Sequence, residues 1–365
     1  MIKEKTQSRE EIISSEIKNL FESYGFDEYR MRKFEKYALY VTHKDFLVGE
    51  KVITFTDLGG ELLALRPDVT LSIVKNSKAS KNNSEKVYYD ENVYREDKQS
   101  GSFKEINQLG VELIGRVGVV EAAETLTLAM NALSVISKDF VLAVSHIGFA
   151  NALLRACGFD SQSYTEAKAA LRSGSENELK AIAAKCNVPK NLSDKLCGLV
   201  QCHGDVKDAL LSSKDLIVNA EMKEAHAFLS AVFKVIEKTG NAGGLRLDFS
   251  LFGDDNYYNG LFMNGFVRSV PKAVLSGGQY DKLLEKFEIG AQAIGFAVYL
   301  GELAAILPVR EKSTDILLIY GDCRAEKVAK KAQQLRKKGY SVRSEKTLPQ
   351  SVNAKEVFIM EKTND

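Results

Sequence analysis

What the chain lacks narrows its role. Lysines and arginines number 50 and aspartates and glutamates 49, so the formal net charge is only +1. There is no overall basic field to draw it to nucleic acid and no acidic tail, so no nucleic-acid partner is expected. The five cysteines, Cys157, Cys186, Cys197, Cys202 and Cys323, form no CxxC pair and suggest no disulfide framework. Cys186, Cys197, Cys202 and His203 can be drawn as a zinc set, but their spacing matches no common one and the segment reads as helical, so no metal is expected. The N-terminal MIKEKTQSREE has no apolar signal region, and the longest apolar run, Ala291 to Leu307, is interrupted by Glu302. A soluble, cytoplasmic protein without a membrane segment is expected.

At 45% hydrophobic and 27% charged, the 365 residues suffice for one large core plus a smaller unit. The run from Lys86 to Gly115 reads as two strands, Val87 to Glu96 and Phe103 to Ile114, with Ser100-Gly101-Ser102 as the turn of a hairpin. Side chains alternate along a strand, so Lys104, Ile106, Gln108, Gly110, Glu112 and Ile114 share a face, Gly110 leaving space between amide and carboxylate. Arg95 falls near the turn end of the first strand. Such a face suits a sheet with one wet side. It also suits a small zwitterion, with Glu112 taking an ammonium and Arg95 a carboxylate or phosphate.

Upstream, Ser8 with Glu11 makes a capping box, and Ile12, Ile13, Ile17, Leu20 and Phe21 recur at helical spacing until Gly25. Ile53 to Leu65 reads as two strands about a Gly59-Gly60 turn. Pro67 stops the second strand, and Thr70 can cap the next helix, presenting Asp68 and Thr70 at its N-terminus. Downstream come a helix from Val119 to Ser137, a strand from Phe140 to His146, a helix from Phe149 to Cys157 and a strongly helical region from about 160 to 240. Arg246 to Val267 reads as strand, polar turn and strand. Adjacent tyrosines in a strand point to opposite faces, so at most one of Tyr257 and Tyr258 enters a pocket unless the strand bends. By composition these are core aromatics more often than ligand contacts. Gly277-Gly278 permits close backbone approach. After Pro308 a short unit follows: strand Asp315 to Tyr320, helix Ala325 to Lys338, strand Tyr340 to Ser344 and a last strand near Val357 to Met360. On its helix Arg324, Lys327, Lys331 and Lys338 share one face opposite Val328, Ala332 and Leu335, a face that can touch phosphates but more often is simply solvated.

LRPDVT followed by VYRED and NQLGVELIG resembles the region around motif 2 of class II aminoacyl-tRNA synthetases, in the form found in histidyl-tRNA synthetase and its non-synthetase relative, the regulatory subunit of ATP phosphoribosyltransferase. YRMRKFEKYALYVTHKDF falls where such enzymes carry motif 1, a helix and strand forming the dimer interface, with Arg32 where that motif has proline. Tyr257-Tyr258-Asn259-Gly260 is similar to the histidine-specific tyrosine motif, and LSGGQYDKLL with AIGFAVYLGEL is similar to the glycine-rich turn and the motif 3 strand and helix. The resemblance spans roughly residues 8 to 307. It implies an α+β fold: an antiparallel class II sheet flanked by helices in residues 1–310, a helical insertion at about 160–240, and a small α/β unit in 315–365 like a shortened anticodon-binding domain. It also implies a histidine site made of Asp68, Thr70, Arg95, Gln108, Glu112, Tyr257 and Tyr258.

Departures from the synthetase pattern then decide the role. Arg95 keeps the motif 2 arginine. The motif 3 arginine has become Glu302, the arginine before the tyrosine pair aligns with Gly253, and that of GGRYD with Gln279. A phosphate-binding cation turned into a carboxylate costs about 4 kcal/mol for a like-signed pair about 4 Å apart at an effective dielectric constant of about 20, close to a thousandfold in rate. The amino-acid end survives while the ATP end is damaged. Together with LRPD, where Asp replaces Glu, and the LVQCHGD turn, this favours the regulatory subunit: a chain without catalysis or cofactor of its own. The resemblance implies that it forms a homodimer within a hetero-oligomer, is required by the short catalytic subunit of ATP phosphoribosyltransferase, and carries feedback inhibition by L-histidine in the first step of histidine biosynthesis. The alternatives are a divergent histidyl-tRNA synthetase and a histidine- or RNA-binding module with no transferase partner.

Overall fold

The computed structural model describes residues 9–46, 51–97, 100–240, 243–253, 257–305, 314–349 and 354–361. The chain divides into two compact units, Ile13–Ile306 and Met1–Ile12 with Leu307–Asp365.

The larger unit is organised by a nine-stranded sheet. Its strands lie in the order Asp27–Glu28, Glu85–Asp97, Ser102–Gly115, Gln292–Tyr299, Leu275–Gln279, Leu261–Val267, Phe140–His146, Leu245–Asp248 and His203–Gly204. The pairings are antiparallel except at two places, where Asp27–Glu28 meets Glu85–Asp97 and where Phe140–His146 meets Leu245–Asp248. The expected hairpin forms with Arg95 opposite Lys104, Gly110 opposite Tyr89 and Glu112 opposite Val87.

One face of this sheet packs apolar side chains around Phe21. Phe21, from the helix Arg9–Ser23, is fully buried and meets the rings of Tyr88 and Phe296 at 6.1 and 5.8 Å. Gly25, at φ +78°, follows the end of that helix as its spacing predicts; Ser8 of the expected capping box lies outside the described residues. The helix Val119–Ile136 also packs here, and Gly265 lets its Leu133 approach where a Cβ would stand 2.8 Å from the leucine methyls. This helix is long and apolar enough to cross a membrane, but 56% of it is buried inside the protein, as befits a core helix.

The region from 160 to 240 holds the helices Ser161–Arg172, Glu176–Lys185, Lys190–Gln201, Val206–Lys214 and Ala220–Lys238. Their starts are capped as their sequences allow: Asp160, Asp205 and Asn219 accept backbone N–H bonds from Ser163, Lys207 and Met222. The zinc set does not assemble; the Cys202 thiol donates to the Ala209 carbonyl, and no metal-holding group of three acidic, histidine or cysteine side chains occurs among the described residues.

A separate three-stranded sheet joins Phe34–Lys36, Leu62–Leu65 and Thr54–Thr56. The stretch aligned with motif 1 thus begins with a strand and continues in a six-residue helix, Tyr37–Thr42, rather than running from helix to strand. Cross-strand pairing of Phe34 with Leu65 draws it into the sheet. Phe34 packs edge-on against Phe55 at 5.5 Å, and both stay exposed, as do Leu58 and Leu62.

In the smaller unit, Thr314–Ile319 is flanked on both sides by parallel strands, Val342–Glu345 and Ala354–Ile359. Ile316 and Leu318 bury against Ala332 and Leu335 of the helix Ala325–Lys337, the apolar face read from its spacing. On the basic side, Lys331 stands over the Phe358 ring at 4.3 Å.

Candidate functional site

The sheet face away from Phe21 carries the polar residues, and a cavity of about 80 Å³ sits over it. By the same measure one water needs roughly 10–15 Å³, so the space holds a molecule of amino-acid size. All seven expected residues line it: Asp68, Thr70, Arg95, Gln108, Glu112, Tyr257 and Tyr258.

Several reach it differently from expectation. Thr70 does not cap the helix Thr70–Asn76; it is the first helical residue, and its hydroxyl donates to Glu112 Oε1 at 2.7 Å. Asp68 takes the capping role instead, accepting the Leu71 N–H at 2.8 Å. Gly110 does not leave the gap, because Tyr89 lies directly opposite and its phenol fills the place of a Cβ. The open space over the strand comes from Gly295, beside Glu112 in the register, where the Glu112 carboxylate occupies the missing side chain's position. Tyr257 and Tyr258 lie in a loop, not a strand, so alternation does not separate them and both enter, their rings 4.7 Å apart. The Gly277-Gly278 pair is not a turn either. It lies within the strand Leu275–Gln279, where a Cβ on Gly278 would stand 2.5 Å from the Leu261 carbonyl oxygen.

The acidic and basic groups are held in place by the protein itself. Arg95 donates to the Pro67 carbonyl at 2.7 Å and to Asp68 Oδ2 at 3.2 Å. Behind them Arg66, only 1% exposed, donates to the carbonyls of Asn92, Met31 and Arg32 and pairs with Glu91. It fixes the segment that presents Asp68. Glu112, 3% exposed, accepts from Thr70 and, at 2.7 Å, from the Tyr280 hydroxyl. Burial pushes its carboxyl up to about 8, against the pull of those two hydroxyls and with a smaller push from the Asp68 charge. Burial likewise raises Asp68, outweighing Arg95. The Gln108 amide, 4% exposed, makes no hydrogen bond among the described residues. A buried amide facing a cavity without a protein partner is set up to meet a ligand.

Sequence reasoning missed Tyr89, Tyr280, Ser276, Tyr299 and Phe46, which also line the cavity. Tyr280 stood in the quoted GGQYD, and Tyr89 is two residues from Val87 on the face of the hairpin already singled out; Phe46 left no signal. The positions where the synthetase pattern has arginines lie differently. Glu302 is not among the lining residues and pairs with Lys272 at 3.4 Å. At Gly253 a Cβ would stand 2.6 Å from the Tyr258 ring, so Tyr258 takes the space through which a side chain would grow.

Known proteins resemble this chain over most of its length. A family model described as histidyl-tRNA synthetase matches residues 2–303. The ATP phosphoribosyltransferase regulatory subunit of Caldanaerobacter subterraneus subsp. tengcongensis is 28% identical over 337 residues, covering 90% of this chain and 87% of the relative. Among solved structures, an ATP phosphoribosyltransferase regulatory subunit/histidyl-tRNA synthetase from Bacillus halodurans is 25% identical with a TM-score of 0.79, covering 96% of this chain and 93% of the other. A chain of the ATP phosphoribosyl transferase (HisG:HisZ) complex from Thermotoga maritima, 18% identical, shares the fold with a TM-score of 0.61, covering 79% of this chain and 96% of its own.

Proposed function

Because the chain belongs to the histidyl-tRNA synthetase family, we propose that it has kept that family's amino-acid pocket and turned it to regulation, as the regulatory subunit of ATP phosphoribosyltransferase. It does no catalysis of its own. It assembles with the short catalytic subunit, is required for that subunit's activity, and lowers it when L-histidine occupies the cavity. The names of its relatives support the assembly and the role. A cytoplasmic location follows from the same reading.

One observation carries the reading: the two ends of the site have fared differently. Around the cavity, Asp68, Thr70 and Glu112 face Arg95 and an unpartnered Gln108 amide, a set suited to a zwitterion with an imidazole among the tyrosines Tyr257 and Tyr258. At the other end a carboxylate, Glu302, stands in place of a phosphate-binding cation, and the Gly253 position is closed by Tyr258. Histidine therefore binds without being activated. It inhibits by binding the less active arrangement of the complex more tightly, since a ligand shifts an equilibrium only by its differential affinity. The exposed Phe34, Phe55 and Leu62 of the small sheet supply an apolar surface for the homodimer.

The test is phosphoribosyl-ATP formation by the short catalytic subunit from the same source, with and without this chain, then with histidine. Activity that rises with the chain and falls with histidine is expected. No effect on the transferase, together with histidine-dependent ATP–pyrophosphate exchange by the chain alone, would overturn the reading in favour of a synthetase.

A further inference from the structure

A second cavity, of about 340 Å³, lies on the opposite side of the same sheet. Gln279 and Tyr280 separate the two: Tyr280 turns to Glu112, while Gln279 lines the second cavity together with His146, Glu221, Glu224, Phe228 and Gln292. Gln279 is the position where the resemblance places an arginine, and the function proposed above makes no use of it. Its replacement changes the charge of this wall. Asp281 behind it accepts hydrogen bonds from Gln279 Nε2 at 2.7 Å, Asn259 Nδ2 at 3.2 Å, Gln292 Nε2 at 3.3 Å and the Ala293 N–H at 3.0 Å, all of them neutral donors. The charged residues that line the cavity are glutamates, with no lysine or arginine among them.

Two polar atoms inside are left over. With Nε2 committed to Asp281, Gln279 Oε1 has no donor among the described residues, although the side chain is only 8% exposed. His146 accepts the Phe149 N–H at Nδ1, which places the ring proton on Nε2, and Nε2–H has no acceptor there. Burial lowers this histidine to about 4, so the ring is neutral near pH 7. At the rim Glu221 is paired with Arg155, and Glu224 lies one helical turn further along the helix Ala220–Lys238. Gln279 Oε1 therefore keeps acceptor capacity that a ligand N–H in the cavity can use.

We propose that this cavity binds a small organic cation, an amine or guanidinium whose donors reach Gln279 Oε1 and the Glu221 and Glu224 carboxylates, while His146 Nε2–H meets an acceptor on the same molecule. The ligand is held by hydrogen bonds and charge, with no covalent step. The site is independent of the histidine cavity and of the transferase role.

Ligand-observed saturation-transfer NMR on the full chain tests it, with ethanolamine and methylguanidinium as probes and acetate as the anionic control. Saturation should reach both cations and not acetate. It should fall several-fold in Glu224→Gln, a rim substitution that leaves thermal unfolding unchanged, and in Gln279→Leu, and should persist in Glu112→Ala, which alters only the other cavity. Absence of transfer to either cation, equal transfer to acetate, or loss in Glu112→Ala without loss in Glu224→Gln would each overturn the proposal.

Discussion

Glu112 and Glu302 are two carboxylates of one domain in opposite circumstances. Glu112 is 3% exposed, bridged by the hydroxyls of Thr70 and Tyr280, and raised to about 8 by burial. The side chain of Glu302 is 40% exposed and pairs with Lys272, itself 68% exposed, at 3.4 Å. The first has its charge state set by its surroundings, whereas the second forms an exposed ion pair of the kind that contributes little. What separates the two carboxylates is therefore the shell around each, and the same contrast extends to the buried Arg66–Glu91 pair beside the cavity.

The comparison is broken most severely at Arg66. Arg66→Ala removes the guanidinium that serves three carbonyls and Glu91, leaving Glu91 the Met31 N–H at 3.2 Å, and a loss of about 3 to 5 kcal/mol in unfolding free energy is expected. Denaturant titration with a change below about 1 kcal/mol would show that the pair is no more than a surface contact. Next, on the proposed reading Glu112→Ala removes a partner of the ammonium, and calorimetry should show histidine binding weakened by roughly 1.5 to 3 kcal/mol. Asp68→Ala is expected to act in the same direction, and unchanged affinity in both variants would remove the pocket assignment.

A pH series sharpens the same contrast. Because the folded carboxyl of Glu112 sits above its unfolded value, the folded state holds the extra proton between about 4.5 and 8. Its contribution to stability is fully present below that window and falls as pH rises through it, by at most about 1.4 kcal/mol per pH unit. Thermal or denaturant unfolding of Glu112→Gln, compared with the parent across that window, should lack this fall; parallel curves would place Glu112 among the ordinary acids. The smallest effect is expected at the exposed end. Glu302→Gln should change stability by no more than about 1 kcal/mol and leave histidine affinity alone. Reinstating an arginine there together with Gly253→Arg does not simply rebuild an ATP site, because a side chain at 253 displaces Tyr258 from the histidine cavity.

Much of the architecture was legible. The hairpin, the helix from Val119 and the cluster of helices between 160 and 240 follow from periodicity and capping, which act over neighbouring residues. Local rules misread Tyr257-Tyr258 and Gly277-Gly278 in opposite ways. Spacing puts the tyrosines in a strand, and they lie in a loop; it makes the glycines a turn, and they lie in a strand, where Phe262 and Gly295 flank Gly278. In both, the deciding contacts come from distant strands. Gly110 failed for the same reason, since only the register shows that Tyr89 stands opposite.

By itself the sequence determined which groups are available and on which side of a strand they fall: Gln108 and Glu112 on one face, a glycine where arginine would bind phosphate at 253, a carboxylate at 302. Tertiary structure alone decided which of them meet and in what state. Thr70 and Tyr280 reach Glu112 across 42 and 168 residues of chain. The raised pKa of Glu112 is a consequence of how completely those neighbours exclude water, and desolvation is a property of the assembled surroundings that no stretch of sequence carries.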